Sequence, residues 1–328
     1  MMKTKVIIIG CLCCAGMLAS QAQNVKTEEP KGKGFVQVFG NFHTGFGSEN
    51  DDRGFELDRT YLGYAYDFGK GLSVKGVMDI GKSDDVSDHE CIAYIKNAMV
   101  TWKKGKLTLN GGLIPTTQFC LQETLWGYRY VKKSFQDEYR FNSSADLGVS
   151  AAWLFADWIT ADAIIVNGEG YKKIQKKDGM NYGLGITVTP AKGFLFRLYA
   201  GINEGCENGQ KDIFSIAGFA GYQCERFRMG MEYNRQQNAS NKDGADLYGY
   251  SAYTTVLMSK TTELYARYDN LCSKNDWNKA NDEQTIMLGA QFKLGKYVKI
   301  APNFRMSIPT AEGMGNKYSA YISSYFGI

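Results

Sequence analysis

The residues best placed to do chemistry gather in one segment. Residues 115–144 read PTTQFCLQETLWGYRYVKKSFQDEYRFNSS and carry Glu123, Arg129, Lys132, Lys133, Asp137 and Glu138. Charges of both signs packed this closely set a local field that sorts ions by sign. A second set stands at isolated positions: Arg59, Arg197, Arg228, Arg267 and Arg305, with Asp79, Asp162, Glu232, Glu263 and Asp269. Bond-breaking chemistry has less to draw on. His43 and His89 are the only 2 histidines, and neither begins a metal or nucleophile–base motif. Beyond residue 22 five cysteines remain: Cys91, Cys120, Cys206, Cys224 and Cys272. None forms a CxxC pair or a cluster with zinc spacing. All but Cys224 fall in or beside connections between elements, which leaves disulfides among those four open. No catalytic, cofactor-binding or metal-binding residue is expected.

The elements that hold these charges have a clear rhythm. The chain has 328 residues, 44% of them hydrophobic and 13% aromatic, with 37 Gly and 5 Pro. That content argues against disorder. Residues 1–22 read as a signal peptide: Lys3 and Lys5 give a basic start, Val6 to Leu18 an apolar core, and Ser20-Gln21-Ala22 a small-x-small cleavage site. Removing Lys3 and Lys5 from 38 basic residues leaves 36 against 34 acidic ones. A nearly neutral mature chain gives a nucleic-acid partner no electrostatic support. The mean hydropathy is −0.32, and no later apolar run approaches the ~18 residues of a membrane helix. A membrane barrel stays open, because only alternate residues of its strands face lipid.

Period-two alternation dominates the mature chain. In FLFRLYAGI (194–202), Phe194, Phe196, Leu198, Ala200 and Ile202 share one face and Leu195, Arg197, Tyr199 and Gly201 the other. In TIMLGAQFKL (285–294), Ile286, Leu288, Ala290, Phe292 and Leu294 oppose Thr285, Gly289, Gln291 and Lys293. Turn signals mark about sixteen strands: 34–46, 54–68, 71–81, 90–103, 106–114, 145–156, 158–167, 180–190, 193–203, 212–224, 226–237, 246–258, 261–271, 283–294, 297–307 and 317–328. Tight connections such as Gly69-Lys70, Lys104-Gly105 and Gly295-Lys296 alternate with longer polar ones. Short turns at one end and long loops at the other predict an all-β, transmembrane antiparallel β-barrel of the bacterial outer membrane. The expected organisation is the signal peptide, a short periplasmic segment at 23–33 and a barrel over 34–328. Tyr64, Tyr66, Phe68, Trp102, Trp153 and Phe155 would form an interfacial girdle. The five arginines and five acids named above fall on inward phases and would form the pore wall. A lipid-facing Arg or Lys would cost about 2–4 kcal/mol at the midplane. Pro302 predicts a bulge or a strand boundary, since it removes a ladder donor.

Four stretches carry a family resemblance: DRTYLGYAYDFGKGLSVK (58–75), KNAMVTWKKGKLTLNGGLIPTTQF (96–119), SADLGVSAAW (144–153) and IIVNGEGYKK (164–173). In this order, around one long insertion, they resemble the phosphate-selective porin family. The resemblance implies a sixteen-stranded general or anion-preferring porin, often trimeric, with an inward-folded third outer loop. It also implies, for the dedicated phosphate channels, many pore arginines and a lysine cluster.

Independently of that resemblance, 115–144 is the longest break in the strand pattern and follows the fifth strand, so it is the third outer loop. Its Phe119, Leu121, Leu125, Trp126, Tyr128, Tyr130, Phe135 and Tyr139 are too many apolar rings and chains for a solvated loop. A large barrel offers a lumen to fold into; a lid over the mouth or a subunit contact is the other placement. The expected function is a passive pore for small polar or ionic solutes, narrowed by this loop, with a mild anion preference. Its expected partners are the outer-membrane bilayer, small polar or anionic solutes and, through the resemblance, a homotrimer; no cofactor is expected. The alternatives are a closed structural or adhesive barrel plugged by the loop, an outer-membrane barrel hydrolase, and a soluble β-sandwich, which would need polar outward faces.

Overall fold

The computed structural model of the chain describes residues 31–47, 52–82, 91–173 and 178–328. The expected signal peptide, residues 23–30 of the expected N-terminal segment, and His89 lie outside the described residues.

Alternating residues fold here as strands because each strand must satisfy two solvents at once. In chain order they are β1 (Lys31–Phe46), β2 (Arg53–Gly69), β3 (Leu72–Lys82), β4 (Cys91–Lys104), β5 (Leu107–Pro115), β6 (Ala145–Ala156), β7 (Ile159–Val166) and β8 (Asn181–Val188). The second half holds β9 (Phe194–Asn203), β10 (Ile213–Gln223), β11 (Phe227–Gln237), β12 (Leu247–Leu257), β13 (Thr262–Ser273), β14 (Glu283–Leu294), β15 (Val298–Pro309) and β16 (Lys317–Gly327). Every neighbouring pair is antiparallel, and β1 pairs with β16 from Gln37↔Gly327 to Phe46↔Tyr318, so the sheet closes. The fold is the expected all-β antiparallel barrel of sixteen strands. Closure removes both edges, so every strand finds ladder partners on two sides without help from solvent.

The alternation resolves as read. In β9 Leu198 is 64% exposed on the outer face, whereas Arg197 and Tyr199 beside it are buried inside. Leu184, Met231 and Leu288 join a broad exposed apolar belt. Water does not solvate so large a patch favourably, and acyl chains do. Tyr64, Phe68, Trp102, Trp153, Phe155 and Trp158 stand exposed toward the short-turn end, the girdle position. One of those turns needs glycine: Gly71 has φ +83°, and a Cβ there would lie 1.9 Å from the Lys103 carbonyl oxygen.

Three local readings change. β1 starts at Lys31, inside the expected 23–33 segment, because Lys31, Gly32 and Lys33 pair with Asp67, Tyr66 and Ala65. β8 stops at Val188, short of the expected 190, where Pro190 has no amide to donate. Pro302 produces neither bulge nor boundary. β15 runs through it, and the β14–β15 pairing skips from Gly289↔Asn303 to Phe292↔Ile300 without a change of register. The missing amide opens the ladder locally and leaves the strands in step.

The true bulges lie elsewhere. The β1–β2 register shifts between Phe39 and Gly40, leaving Asp58 unpaired on that side. The β3–β4 register shifts between Val77 and Met78, leaving Lys96 unpaired. An extra residue resets the phase. Asp58 and Arg59 therefore both turn away from lipid, and Lys96 and Asn97 are both buried in succession. The outward face makes a direct prediction. Leu198→Lys puts a charge at the middle of β9 and should lower folding stability in lipid vesicles by about 2–4 kcal/mol. Denaturant titration of refolding into vesicles measures it, and an unchanged midpoint would place that face away from lipid.

Candidate functional site

The connection between β5 and β6 follows the inner wall instead of standing in solvent. It contains two short helices, α1 (Cys120–Trp126) and α2 (Phe135–Glu138). α1 ends at Gly127, in the left-handed region with φ 71°, whose amide donates to the Glu123 carbonyl. That is a glycine C-cap, and it turns the chain sharply into Tyr128. Leu121, Leu125, Trp126, Tyr128, Tyr130 and Val131 are buried against Leu195, Phe219, Tyr253, Tyr265 and Met287 of the wall. Farther up, Phe135 is fully buried with Phe141, Ala239, Leu247 and Leu271. The aromatic residues that make this segment too apolar for a solvated loop are thus packed against the barrel.

Polar bonds fix the path. Arg197 on β9 is bidentate to Asp162 on β7, at 2.6 and 2.9 Å, and donates to the Thr117 carbonyl at 2.8 Å. Arg267 on β13 pairs with Asp269 at 2.8 Å and donates to the Lys133 carbonyl at 2.6 Å. Arg305 on β15 donates to the Val131 carbonyl at 2.6 Å and lies over the Tyr321 ring at 3.7 Å. Arg228 on β11 lies over the Tyr128 ring at 5.0 Å. Loop hydroxyls answer from the other side: Tyr128 donates to Glu263 at 2.6 Å, Tyr130 to Gln291 at 2.8 Å and Tyr139 to Glu283 at 3.0 Å. Three of the five wall arginines therefore hold loop carbonyls, and a fourth is stacked on a loop ring.

The fifth, Arg59 on β2, meets Asp79 on β3 at 3.3 Å. It also donates to the Tyr61 hydroxyl at 3.1 Å, where Lys96 arrives at 3.0 Å and Arg129 at 3.3 Å. Three cationic donors thus converge on one phenol oxygen. Tyr171, from the connection after β7, donates to Asp79 at 2.6 Å. Glu232 on β11 accepts from Asn234 at 3.1 Å and from the loop's Gln136 at 3.3 Å. Tyr61, Lys96 and Tyr171 were not among the residues read from the sequence. The broken alternation at Lys96-Asn97 was the signal available for one of them.

Inside the loop the named charges pair closely. Arg129 bonds both Glu123 and Asp137, and Lys132 meets Asp269 at 3.3 Å. Burial works to raise the Asp137 carboxyl, but Arg129, with Lys133 and Lys96 beyond it, overrides that and holds it well below the usual range. Lys133 and Glu138 face a cavity of about 1430 Å³, also lined by Arg129, Lys132, Asp137, Arg59 and Arg305. Glu123, Arg197, Arg228 and Arg267 do not line it. The cavity extends up to Ser143, Lys172, Asn281 and Lys317 at the long-loop end. Among the described residues, ten Lys and Arg side chains line it against seven Asp and Glu, an excess of three positive charges.

Neither metal nor disulfide chemistry gathers among the described residues. No group of three or more His, Cys, Asp or Glu is placed to hold a metal ion. Cys91, Cys120, Cys206, Cys224 and Cys272 are all unpaired, so the disulfides left open from the sequence do not form. His43 bonds Asn41 at 2.8 Å and faces Asp52 at 3.3 Å, with Tyr321 stacked on its ring.

A closed sixteen-stranded antiparallel barrel with an apolar exterior and a charged interior has the fold of the outer-membrane porins. Solved structures place the chain beside particular examples. OmpF of Salmonella typhi, in complex with daunomycin, superposes with TM-score 0.70 at 10% identity, covering 93% of this chain and 99% of that one. An anion-selective porin from Comamonas acidovorans gives TM-score 0.68 at 14% identity, covering 92% and 100%. OmpT of Vibrio cholerae, an outer membrane protein in its trimer form, gives 0.63 at 14% identity, covering 92% and 100%. No family model and no curated protein matches the chain. The resemblance to phosphate-selective porins is thus supported at the level of the porin fold.

Arg129 is the hinge of the charge network, with its side chain 9% exposed and those of Glu123 and Asp137 each 14% exposed. Arg129→Met strands two buried carboxylates, and should cost about 3–5 kcal/mol of local stability. Limited proteolysis at Lys132-Lys133 should accelerate in the refolded barrel. The triple variant Arg129→Met, Glu123→Gln, Asp137→Asn should recover most of the protection. Equal cleavage of all three proteins would remove the network from the loop's anchorage.

Proposed function

We propose that the chain is a porin of the bacterial outer membrane, passing small polar or ionic solutes by diffusion with a mild anion preference. The observation that carries this reading is the charged cavity within an apolar-skinned barrel, with its excess of three positive charges among the described residues. Such a field lowers the energy of an entering anion and raises that of a cation. The named loop charges divide between two tasks. Lys133 and Glu138 face the entering solute, whereas Arg129, Glu123 and Asp137 hold the loop together. Of the wall arginines, Arg59 and Arg305 contribute to the filter. Phosphate is one solute such a field would favour, alongside other small anions. A homotrimer belongs to the same reading and has support from the trimer form of the Vibrio outer membrane protein. Bond-making catalysis is no part of it.

A closed barrel is the second reading, favoured by one observation. The apolar cluster runs from Phe39, Tyr61 and Val77 through the loop to Leu195, Tyr253 and Met287, across the whole lumen.

Planar bilayers separate the two. Porin activity should appear as discrete conductance steps, with a reversal potential shifted toward the anion side in a salt gradient. Neutralising Lys133 and Lys317 together should move that potential toward zero, since both line the cavity and neither holds a loop carbonyl. The reading fails if the folded protein gives no steps at all, and the anion preference fails if the potential does not move.

A further inference from the structure

The loop is held to the wall at several strands. Its carbonyls and hydroxyls are held by β9, β13, β14 and β15. The cavity borders the last of these anchors, at Phe39, Arg59, Arg305 and Tyr321 of β1, β2, β15 and β16, and a passage past the loop would run there. There the loop meets the wall through aromatic rings and through the bond between Arg129 and Tyr61. The Tyr130 ring lies 5.7 Å from Tyr325 on β16 and 6.4 Å from Phe39 on β1, centroid to centroid. Phe39 in turn lies 5.6 Å from Tyr61 and 5.8 Å from Tyr325. Phe39, Tyr61 and Tyr130 are each 6% exposed or less, and Val131 beside them is equally dry.

Charge stands on both sides of this layer. Phe39 and Tyr130 form part of the cavity's floor, beside Arg59 and Arg129. From the short-turn side, Lys299 reaches the Tyr325 ring at 4.8 Å and the Tyr130 ring at 5.9 Å. The order along the bore is therefore charged, aromatic, charged. An ion crossing the middle layer would shed its hydration against ring faces that return few hydrogen bonds, and a narrow apolar constriction excludes water itself.

We propose that the Tyr130 ring, closed on Phe39 and Tyr325, is a hydrophobic gate, and that solutes pass when the 129–131 turn lifts away from β1 and β16. This inference rests on the porin reading above. The gate is built to be separable. The turn meets β1 and β16 through side chains and not through ladder bonds, so it can withdraw from them without breaking the barrel ladder. Its own ties to the wall are the Arg129–Tyr61, Tyr130–Gln291 and Arg305–Val131 bonds.

Single-channel recording on the full mature chain tests it with four proteins: unaltered chain, Tyr130→Ala, Tyr130→Phe and Phe39→Ala. Far-ultraviolet circular dichroism of each protein in detergent establishes that the barrel has formed. Removing either ring should raise the conductance or the open fraction several-fold. Tyr130→Phe keeps the ring and loses the bond to Gln291, and should behave as the unaltered chain. Phe39→Ala supplies a second variant, on the barrel side, should the loop variant fold poorly. If the unaltered chain conducts and neither alanine variant differs from it, the gate is overturned and the porin reading stands. If Tyr130→Phe opens as widely as Tyr130→Ala, the hydrogen bond rather than the ring closes the passage, and the gate as stated is overturned. If no folded variant conducts, the porin reading fails and the gate with it.

Discussion

A backbone carbonyl carried into a barrel lumen leaves bulk water behind and must find a donor, or it costs a few kcal/mol. The loop between β5 and β6 brings many such carbonyls inside. Arg197, Arg267 and Arg305 answer at Thr117, Lys133 and Val131. Each arginine is itself held by a neighbour on the wall: Asp162, Asp269 and Asn303. The guanidinium suits this role because its planar fork can serve an acceptor on the wall and a carbonyl on the loop at once. Remove the arginines and the loop keeps its apolar packing and hydroxyl bonds but leaves three buried carbonyls without these donors. With them, its position is set in depth and rotation, and every other feature of the bore follows from that position.

The same geometry explains why so few of the interior charges are spare. A charge buried alone is penalised far more heavily than a pair. Arg129 is held between Glu123 and Asp137, Lys132 against Asp269, and Arg59 against Asp79. These pairs stabilise the loop's shape. Lys133 and Lys317 line the cavity without holding a loop carbonyl, whereas Arg305 lines it and holds the Val131 carbonyl as well. On the proposed porin reading, selectivity and stability draw on overlapping residues of one cluster, with Arg305 serving both.

Much of this was legible from spacing alone. Period-two alternation located sixteen strands, and its phase put Leu198 outward and Arg197 inward, because lipid and lumen impose opposite demands on adjacent residues. The fifth connection was legible as unusual because eight large apolar residues have no place in water. What alternation conceals is a bulge. Asp58 and Lys96 each add one residue to a strand, and the pattern simply resumes in the new phase, so the interior positions they occupy look like noise. Partners were also hidden. A sequence shows an arginine's charge but not the carbonyl that a distant loop will bring to it. The wall arginines therefore read as a pore lining, whereas three of them hold the loop's backbone. Pro302 was over-read for a related reason: a missing amide opens one rung, and the antiparallel rungs on either side keep register without it.

The remaining step concerns why rings rather than charges meet at β1 and β16. An ion pair across that gap would keep water between the loop and the wall, since each charge retains part of its hydration shell, and the passage would leak in every state. It would also need carboxylates that are already committed to Arg59 and Arg129. Aromatic faces have neither problem. They pack at the 5.6 to 6.4 Å centroid separations found among Phe39, Tyr61, Tyr130 and Tyr325, and their attraction is short-ranged, so a small withdrawal of the turn ends it. The Tyr130 hydroxyl points to Gln291, and that bond gives the closed position a definite rotamer. A dry layer between two charged ones divides the work. In the proposed gate, the charges select which solutes gather at the constriction, and the rings set when it is wet.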